Sequence, residues 1–151
     1  MGNHEEDAIE YGFIVDDYCV NEVYDEERES KCLDFISHLD LYYNYNDEVV
    51  FCHAGVNEEA GEYWEAGTPE YYYTGKYPAE TCKFCINIVA GHISASTVAG
   101  NLNHKGIYYD GESHYYIDGN TEKSGYVPVL MYDTKKKKFY EVTENGNEGL
   151  N

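Results

Sequence analysis

The chain has 151 residues, 42% of them hydrophobic, which is enough for one domain with a core and too few for two of ordinary size. Its 29 acidic and 10 basic side chains give a formal net charge of −19. Such a surface repels nucleic-acid backbones, and no stretch approaches the roughly 18 apolar residues of a membrane helix. We therefore predict neither a nucleic-acid partner nor a membrane association.

Cysteine and tyrosine are the unusual features of the composition. The five cysteines lack the regular spacing of a disulfide framework, which favours reduced thiols and a cytoplasmic protein. Cys82 and Cys85 form a single CxxC motif. Three interpretations are open for it, namely half of a zinc site, a redox pair or a purely structural role. We favour the structural interpretation, because neither a second CxxC nor a suitably spaced His pair accompanies it. Among 18 tyrosines, Tyr71-Tyr72-Tyr73 is predicted to pack half-buried in a strand or loop.

The chain opens on Gly2-Asn3-His4-Glu5, where an amide oxygen and an imidazole follow a glycine. Asn is an acceptable ligand for a hard divalent ion, and His acts either as a ligand or as a proton donor. From Glu5 to about His38 the apolar spacing predicts helix, and the charged run Asp25–Glu29 indicates a solvated helix start.

Two short apolar runs each end in a histidine. Residues 48–52 lead into His53-Ala54-Gly55, and residues 86–90 lead into Gly91-His92. Buried strands of an α/β sheet present ligands at their carboxyl ends, so these two histidines predict a shared metal site. Residues 40–47 before the first run are predicted as a turn. The acidic and aromatic segment 56–78 between the runs is predicted as a loop or short helices over the site.

From Gly106 onward the pattern predicts antiparallel β structure. The β-rich runs are residues 107–109, 114–117, 126–132 and 139–142. Lysines 135–138 are predicted to form a solvated hairpin tip, and residues 143–151 a frayed tail after a domain spanning 1–142.

Three polar residues outside these motifs receive weaker assignments. Asp118 either shapes a turn or contacts the site, and we favour the turn. No role is assigned to His114. His38 and His104 are predicted to be surface residues.

The motifs in this order resemble the calcineurin-like metallophosphoesterases, and among them the bacterial serine/threonine protein phosphatase-like branch. They are Gly-Asn-His-Glu, strand-His-Ala-Gly, strand-Gly-His and Ile117-Asp118-Gly119, and the resemblance runs from Gly2 to about Val142. Ser94 stands where many members of the superfamily have a second His, which favours the phosphatase-like branch. The resemblance implies an α/β (α+β) fold, namely the C-terminal part of a four-layer αββα sandwich ending in an antiparallel meander.

The resemblance also implies roles for individual residues. Asn3, His53 and His92 match the family's ligands to one metal ion, and His4 matches the residue that protonates the leaving oxygen. The implied reaction is phosphoester hydrolysis by metal-activated water, on a phosphorylated protein or a small phosphoester. The ions implied are Mn, Fe or Zn, two of them in the family.

The chain departs from the family at its start. The family's Asp-x-His and Gly-Asp-x-x-Asp-Arg motifs precede Gly-Asn-His and supply the bridging aspartate and the second ion's ligands; here they have no counterpart. We expect at most one ion in this chain, little activity of the chain alone, and Met1 as an internal methionine of a longer enzyme. Exposed sheet edges would then allow self-association.

Two alternatives remain open at this point. The first is a non-catalytic module that binds a single metal ion or a partner through the same residues. The second is a structural β-rich domain with incidental histidines, which predicts that Asn3, His53 and His92 lie far apart.

Overall fold

The computed structural model describes residues 1–12 and 26–151, and the structural statements below concern these residues. Two helices come first, α1 (Asn3–Tyr11) and α2 (Glu26–Ser37), and they contact each other. Both agree with the helical pattern of the sequence, whereas Cys19 and Asp25 lie outside the described residues. Within the described ranges no helix has the length and apolar character needed to cross a bilayer.

Helix α1 has caps at both ends that explain its bounds. The Glu5 carboxylate accepts the backbone N–H of Gly2 at 2.9 Å, as in half of a capping box. At the other end Gly12 has φ 78°, a conformation that suits glycine, and its N–H donates to the Ala8 carbonyl at 2.9 Å. Asn3 is thereby fixed as the first helical residue.

The main sheet has five strands in the order β1-β2-β3-β5-β4. Its strands are β1 (Tyr42–Tyr45), β2 (Val49–Cys52), β3 (Asn87–Ala90), β4 (Tyr108–Tyr109) and β5 (His114–Tyr116). The three central strands, β2, β3 and β5, are parallel, and the two edge strands pair antiparallel to their neighbours. The predicted strands at 48–52 and 86–90 therefore lie side by side.

Strand β1 corrects the prediction of a turn over residues 40–47. Asn46 and Asp47 both have positive φ, at 52° and 55°, and join β1 to β2 as a hairpin. Asn and Asp tolerate this left-handed conformation better than other non-glycine residues, so the turn needs only these two positions. The remaining tyrosine-rich residues are then free to form a strand.

The predicted antiparallel meander is divided between two sheets. Strand β5 pairs parallel with β3, with Ile88 opposite His114, and so belongs to the main sheet. A second, antiparallel sheet contains β6 (Leu130–Asp133), β7 (Lys138–Thr143) and β8 (Gly146–Gly149). Residues 143–151 are thus not frayed, because β8 pairs with the free edge of β7. The described residues form a mixed α/β fold with two sheets and six helices, which confirms the coarser fold prediction.

Short helical segments cover one face of the main sheet. They are a 3-10 segment (Glu58–Tyr63), α3 (Trp64–Gly67) and α4 (Glu70–Gly75). Trp64 and Tyr73 are buried in one core cluster with Val50 and Ile88. The Tyr71–Tyr73 run, predicted as strand or loop, is therefore helical and covers this core. Two further one-turn helices, α5 (Ala95–Val98) and α6 (Thr121–Ser124), follow β3 and β5.

The second sheet covers the opposite face of the main sheet. Val49, Val89 and Tyr115 point to this side and pack with Phe139 of β7. The Tyr115 and Phe139 rings stack with centroids 4.0 Å apart. Because adjacent residues of β2 and β3 are buried on opposite faces, these strands read as continuous apolar runs.

A buried ionic network fastens the helical segments to the main sheet. Lys76 donates to Glu58 at 2.8 Å and to Glu80 at 3.0 Å. His114, whose side chain is 1% exposed, donates to Asp110 at 2.7 Å and to Glu58 at 3.1 Å. Glu58 thus joins the segment after β2 to strand β5 on the far side of β3. The sequence alone left His114 without a role.

We expect Glu58→Gln to lower the free energy of unfolding by about 3 kcal/mol, because it removes a buried charge on which two cationic side chains depend. Urea unfolding at pH 6 measures the change. Glu144→Gln, at an exposed position, should shift the same quantity by less than about 0.5 kcal/mol. Equal effects of the two substitutions would contradict a stabilising role for the network.

The network also predicts how stability depends on pH. Burial alone would raise the pKa of Glu58, but bonds from His114 and Lys76 outweigh it and lower the pKa to about 2. Burial alone would lower the pKa of His114, whereas its two carboxylate partners raise it above the usual 6.5. The Glu58 contribution is present above about pH 4.5 and is lost as the pH falls. The His114 contribution is present below about pH 6.5 and is lost as the pH rises through its folded pKa.

The stability difference between wild type and His114→Gln should therefore shrink from pH 6 to pH 9. Urea midpoints measured across that range test it, and a difference that stays constant would show that His114 is not charged in the folded state.

Candidate functional site

The parallel pairing of β2 and β3 brings the two strand-borne histidines together. His53 directly follows β2, and His92 follows β3 after Gly91. The Gly91 N–H donates to the His53 carbonyl at 2.8 Å, so the backbone continues to pair just beyond the strands. Both imidazoles consequently lie at the carboxyl edge of the sheet, where α/β proteins place ligands.

Asn3 completes a group of three polar side chains. Its Oδ1 lies 2.8 Å from His53 Nε2, and that nitrogen lies 3.2 Å from His92 Nδ1. The two imidazole rings meet edge to face, with centroids 5.1 Å apart and planes at 61°. This arrangement runs against the alternative of incidental histidines, which requires the three side chains to lie far apart.

The donor atoms suit a single divalent ion. Two ligand atoms that each lie about 2.1 Å from one ion are about 3.0 to 3.4 Å apart in octahedral or tetrahedral geometry. The observed separations of 2.8 and 3.2 Å are close to this range. One amide oxygen and two imidazole nitrogens also form a donor set that Mn, Fe and Zn accept. The residues present therefore fit one ion, and their role as its ligands stays a prediction.

His92 adopts an unusual backbone conformation. Its φ is 62°, in the left-handed region that non-glycine residues enter rarely. Such a residue costs on the order of 1–3 kcal/mol and often occurs at functional sites, where the surrounding structure holds it. Here Ile93 N–H donates to the Gly91 carbonyl at 2.6 Å across His92, which closes a tight turn. The turn keeps His92 beside His53.

Partial burial, together with its neighbours, lowers the pKa of His53 and so favours its neutral form. Partial burial and the neighbouring His92 lower the pKa of His53, while Glu5 and Asp118 act in the opposite direction. A neutral imidazole is the form that binds metal ions. The site thus keeps His53 ready to act as a ligand near neutral pH.

The remaining residues named from the sequence lie outside this group. His4 is exposed, is not hydrogen-bonded to Asn3, His53 or His92, and lines a surface cleft of about 540 Å³. Asp118 Oδ1 accepts the backbone N–H of Asn120 at 2.8 Å, which supports the turn role.

The other predictions for histidines and cysteines have mixed outcomes. His38 is exposed as expected, but His104 is half-buried, and its Nε2 has no partner among the described residues. It is partly buried because its ring packs edge to face on Tyr108. Cys82 and Cys85 are exposed free thiols.

Comparisons with known proteins found no match, either among family models or among curated proteins and solved structures. The site therefore has to be interpreted from its own geometry.

Gly2 offers a test of the geometry, because a Cβ at this position would lie 2.7 Å from His53 Nδ1 and 2.8 Å from Glu5 Oε2. We expect Gly2→Ala to displace His53 from Asn3 and to destabilise the fold by about 1–3 kcal/mol. Histidine NMR shifts and urea unfolding measure the two effects. In the control Gly75→Ala, the added methyl meets no atom within 4 Å, and both measurements should stay near wild type.

Proposed function

We propose that this chain carries part of the metal centre of a calcineurin-like metallophosphoesterase of the bacterial protein phosphatase-like branch. The observation that best supports this proposal is that the side chains of Asn3, His53 and His92 lie in contact. These residues come from three separate motifs, up to 89 positions apart in the chain, and the family resemblance implies that all three bind the same ion.

The arrangement of layers supports the same proposal. Helical segments cover one face of the main sheet, and the antiparallel sheet covers the other. We propose that the two sheets are the inner layers of a four-layer αββα sandwich, with the site at the carboxyl ends of β2 and β3.

In the proposed reaction, a divalent ion would polarise the phosphoryl group and lower the pKa of the attacking water. Asn3, His53 and His92 would hold that ion. His4 follows Asn3 on α1, is exposed and has no hydrogen-bond partner among residues 1–12 and 26–151, so it would be available to donate a proton to the leaving oxygen. The substrate would be a phosphorylated serine or threonine peptide, or a small phosphoester.

Electrostatics gives the ion a second role. The chain carries a net charge of −19, which would repel a phosphate dianion from most of its surface. A divalent ion bound at the sheet edge would provide local positive charge, and phosphate binding would then depend on the metal.

A non-catalytic module that binds one ion is the second candidate. It is favoured by the incomplete ligand set, with one amide and two imidazoles meeting in the described residues, and by the absence there of any hydrogen bond between His4 and this group. In this case metal binding would stabilise the fold or a partner surface without hydrolysis.

Equilibrium dialysis with Mn²⁺ and with Zn²⁺ tests the metal site. We expect one ion per chain and a loss of at least about tenfold in affinity in His53→Ala and in His92→Ala. His38→Ala removes an exposed histidine and should leave affinity unchanged. Absence of binding, or equal loss in all three variants, would contradict the proposal.

Hydrolysis of an aryl phosphate and of a phosphoserine peptide separates the two candidates. The assay uses the protein as its gene encodes it, with any residues that precede Met1. Metal-dependent turnover that fails in His53→Ala and His92→Ala, and slows in His4→Ala, supports the phosphoesterase. Metal binding without turnover in that protein supports the module.

A further inference from the structure

A small aromatic cleft lies beside α4, away from the proposed metal site. It has a volume of about 290 Å³ and is lined by residues of α4 and of the loop that follows it. Among its lining residues are Tyr71, Tyr72, Tyr77, Pro78 and Glu80. Tyr71 is 63% exposed and Tyr77 79% exposed, so their rings are open to solvent. Single exposed aromatic residues are ordinary on protein surfaces. Several exposed aromatic residues around one carboxylate are typical of an interaction site.

The aromatic rings that line the cleft can contact a planar or cationic group of a ligand. The Tyr71 and Tyr72 rings lie 4.9 Å apart, with their planes inclined at 54°. The face of an aromatic ring carries partial negative charge, and it attracts ammonium and guanidinium groups within about 6 Å. A cleft near the lower size limit for ligand sites, about 300 Å³, suits a single side-chain head group.

The charged residues that line the cleft are Lys76 and Glu80, and both belong to a network that contains more carboxylates than cations. Lys76 donates to the Val56 carbonyl, to Glu58 and to Glu80, and therefore has no donor left for a ligand. Together with Asp110, these carboxylates have two cationic partners in the part of the chain that the structure describes, Lys76 and His114. One negative charge is left over in the network.

Glu80 is where that excess charge reaches the cleft. Its side chain is 44% exposed, compared with 14% for Glu58, and it is the one network carboxylate that lines the cleft. The Tyr116 hydroxyl donates to the Glu80 carbonyl and holds this residue in place. Burial and the neighbouring Glu58 raise the pKa of Glu80, while the ion pair with Lys76 acts in the opposite direction.

We propose that this cleft binds the guanidinium group of an arginine side chain presented by a basic peptide or protein. Glu80 accepts hydrogen bonds from the guanidinium, and the rings of Tyr71, Tyr72 and Tyr77 contact its planar faces. Arginine fits better than lysine because its head is planar, stacks on aromatic rings and offers paired donors to one carboxylate. The net charge of −19 attracts a basic partner and repels an anionic one. This inference does not depend on the proposed hydrolysis.

The test is a titration with N-acetyl-arginine amide at fixed ionic strength, followed by NMR of the tyrosine rings. We expect saturable shifts at Tyr71, Tyr72 and Tyr77 below roughly 50 mM. N-acetyl-citrulline amide has nearly the same shape without the charge, and it should not saturate. Absence of saturation by the arginine compound, or equal binding of both compounds, would overturn the proposal.

Two variants separate specific binding from general attraction to an acidic surface. Glu80→Gln should weaken arginine binding at least about fivefold, whereas Glu144→Gln removes an equal charge at an exposed site and should change it less than about twofold. Because Glu80 also bonds Lys76, Tyr77→Ala provides a second variant at a largely exposed position, with Tyr43→Ala as its control. If both variants of a pair weakened arginine binding equally, the binding would not depend on the cleft, and the proposal would be overturned.

Discussion

The parallel pairing of β2 with β3 is the interaction on which the rest of the structure depends. It places Val49 opposite Asn87 and Val50 opposite Ile88, and each strand is buried on both faces. Aromatic residues of the short helices cover one face of these two strands, and Phe139 of the second sheet covers the other face. Because both strands run in the same direction, the residues that follow them meet at one edge. The meeting of His53 with His92 is therefore a direct consequence of strand direction.

The chain places its charged groups in two distinct ways. At the sheet edge the polar groups are an amide and two imidazoles, one of them held in its neutral form, which suits binding of a cation by neutral donors. Behind the helical face, carboxylates and cations are paired in the interior, and the pairing joins the segment after β2 to β5. We propose that the first group binds an ion, whereas the second joins separate segments of the fold. Among the described members of the second group, Glu80 is the most exposed carboxylate, with 44% of its side chain open to solvent.

Local patterns in the sequence were sufficient for the parts of the fold that depend on neighbours in the chain. The runs ending in His53 and His92 predicted two buried strands. A short run of apolar, β-branched residues that is bounded by small residues is typical of a buried strand. Apolar spacing predicted helix in the regions of α1 and α2, and the charged run 25–29 predicted a helix start before α2. The candidate ligands Asn3, His53 and His92 were also named from the sequence, since each stands in a recognisable short motif. Strand β1 was missed because its tyrosines and asparagines resemble a polar loop until the Asn46-Asp47 turn is identified.

By itself the sequence determined which segments are apolar, that residues 5–11 and 26–37 are helical and which residues are chemically able to bind a metal ion. Only the tertiary structure decided that β5 joins the main sheet in parallel, that residues 146–149 form a strand and that His114 is an interior ion-pair partner. These features depend on contacts between residues far apart in the chain, such as the 56 positions between Glu58 and His114. The periodicity of apolar residues indicates which face of a segment is buried, but it does not indicate which distant segment packs against that face.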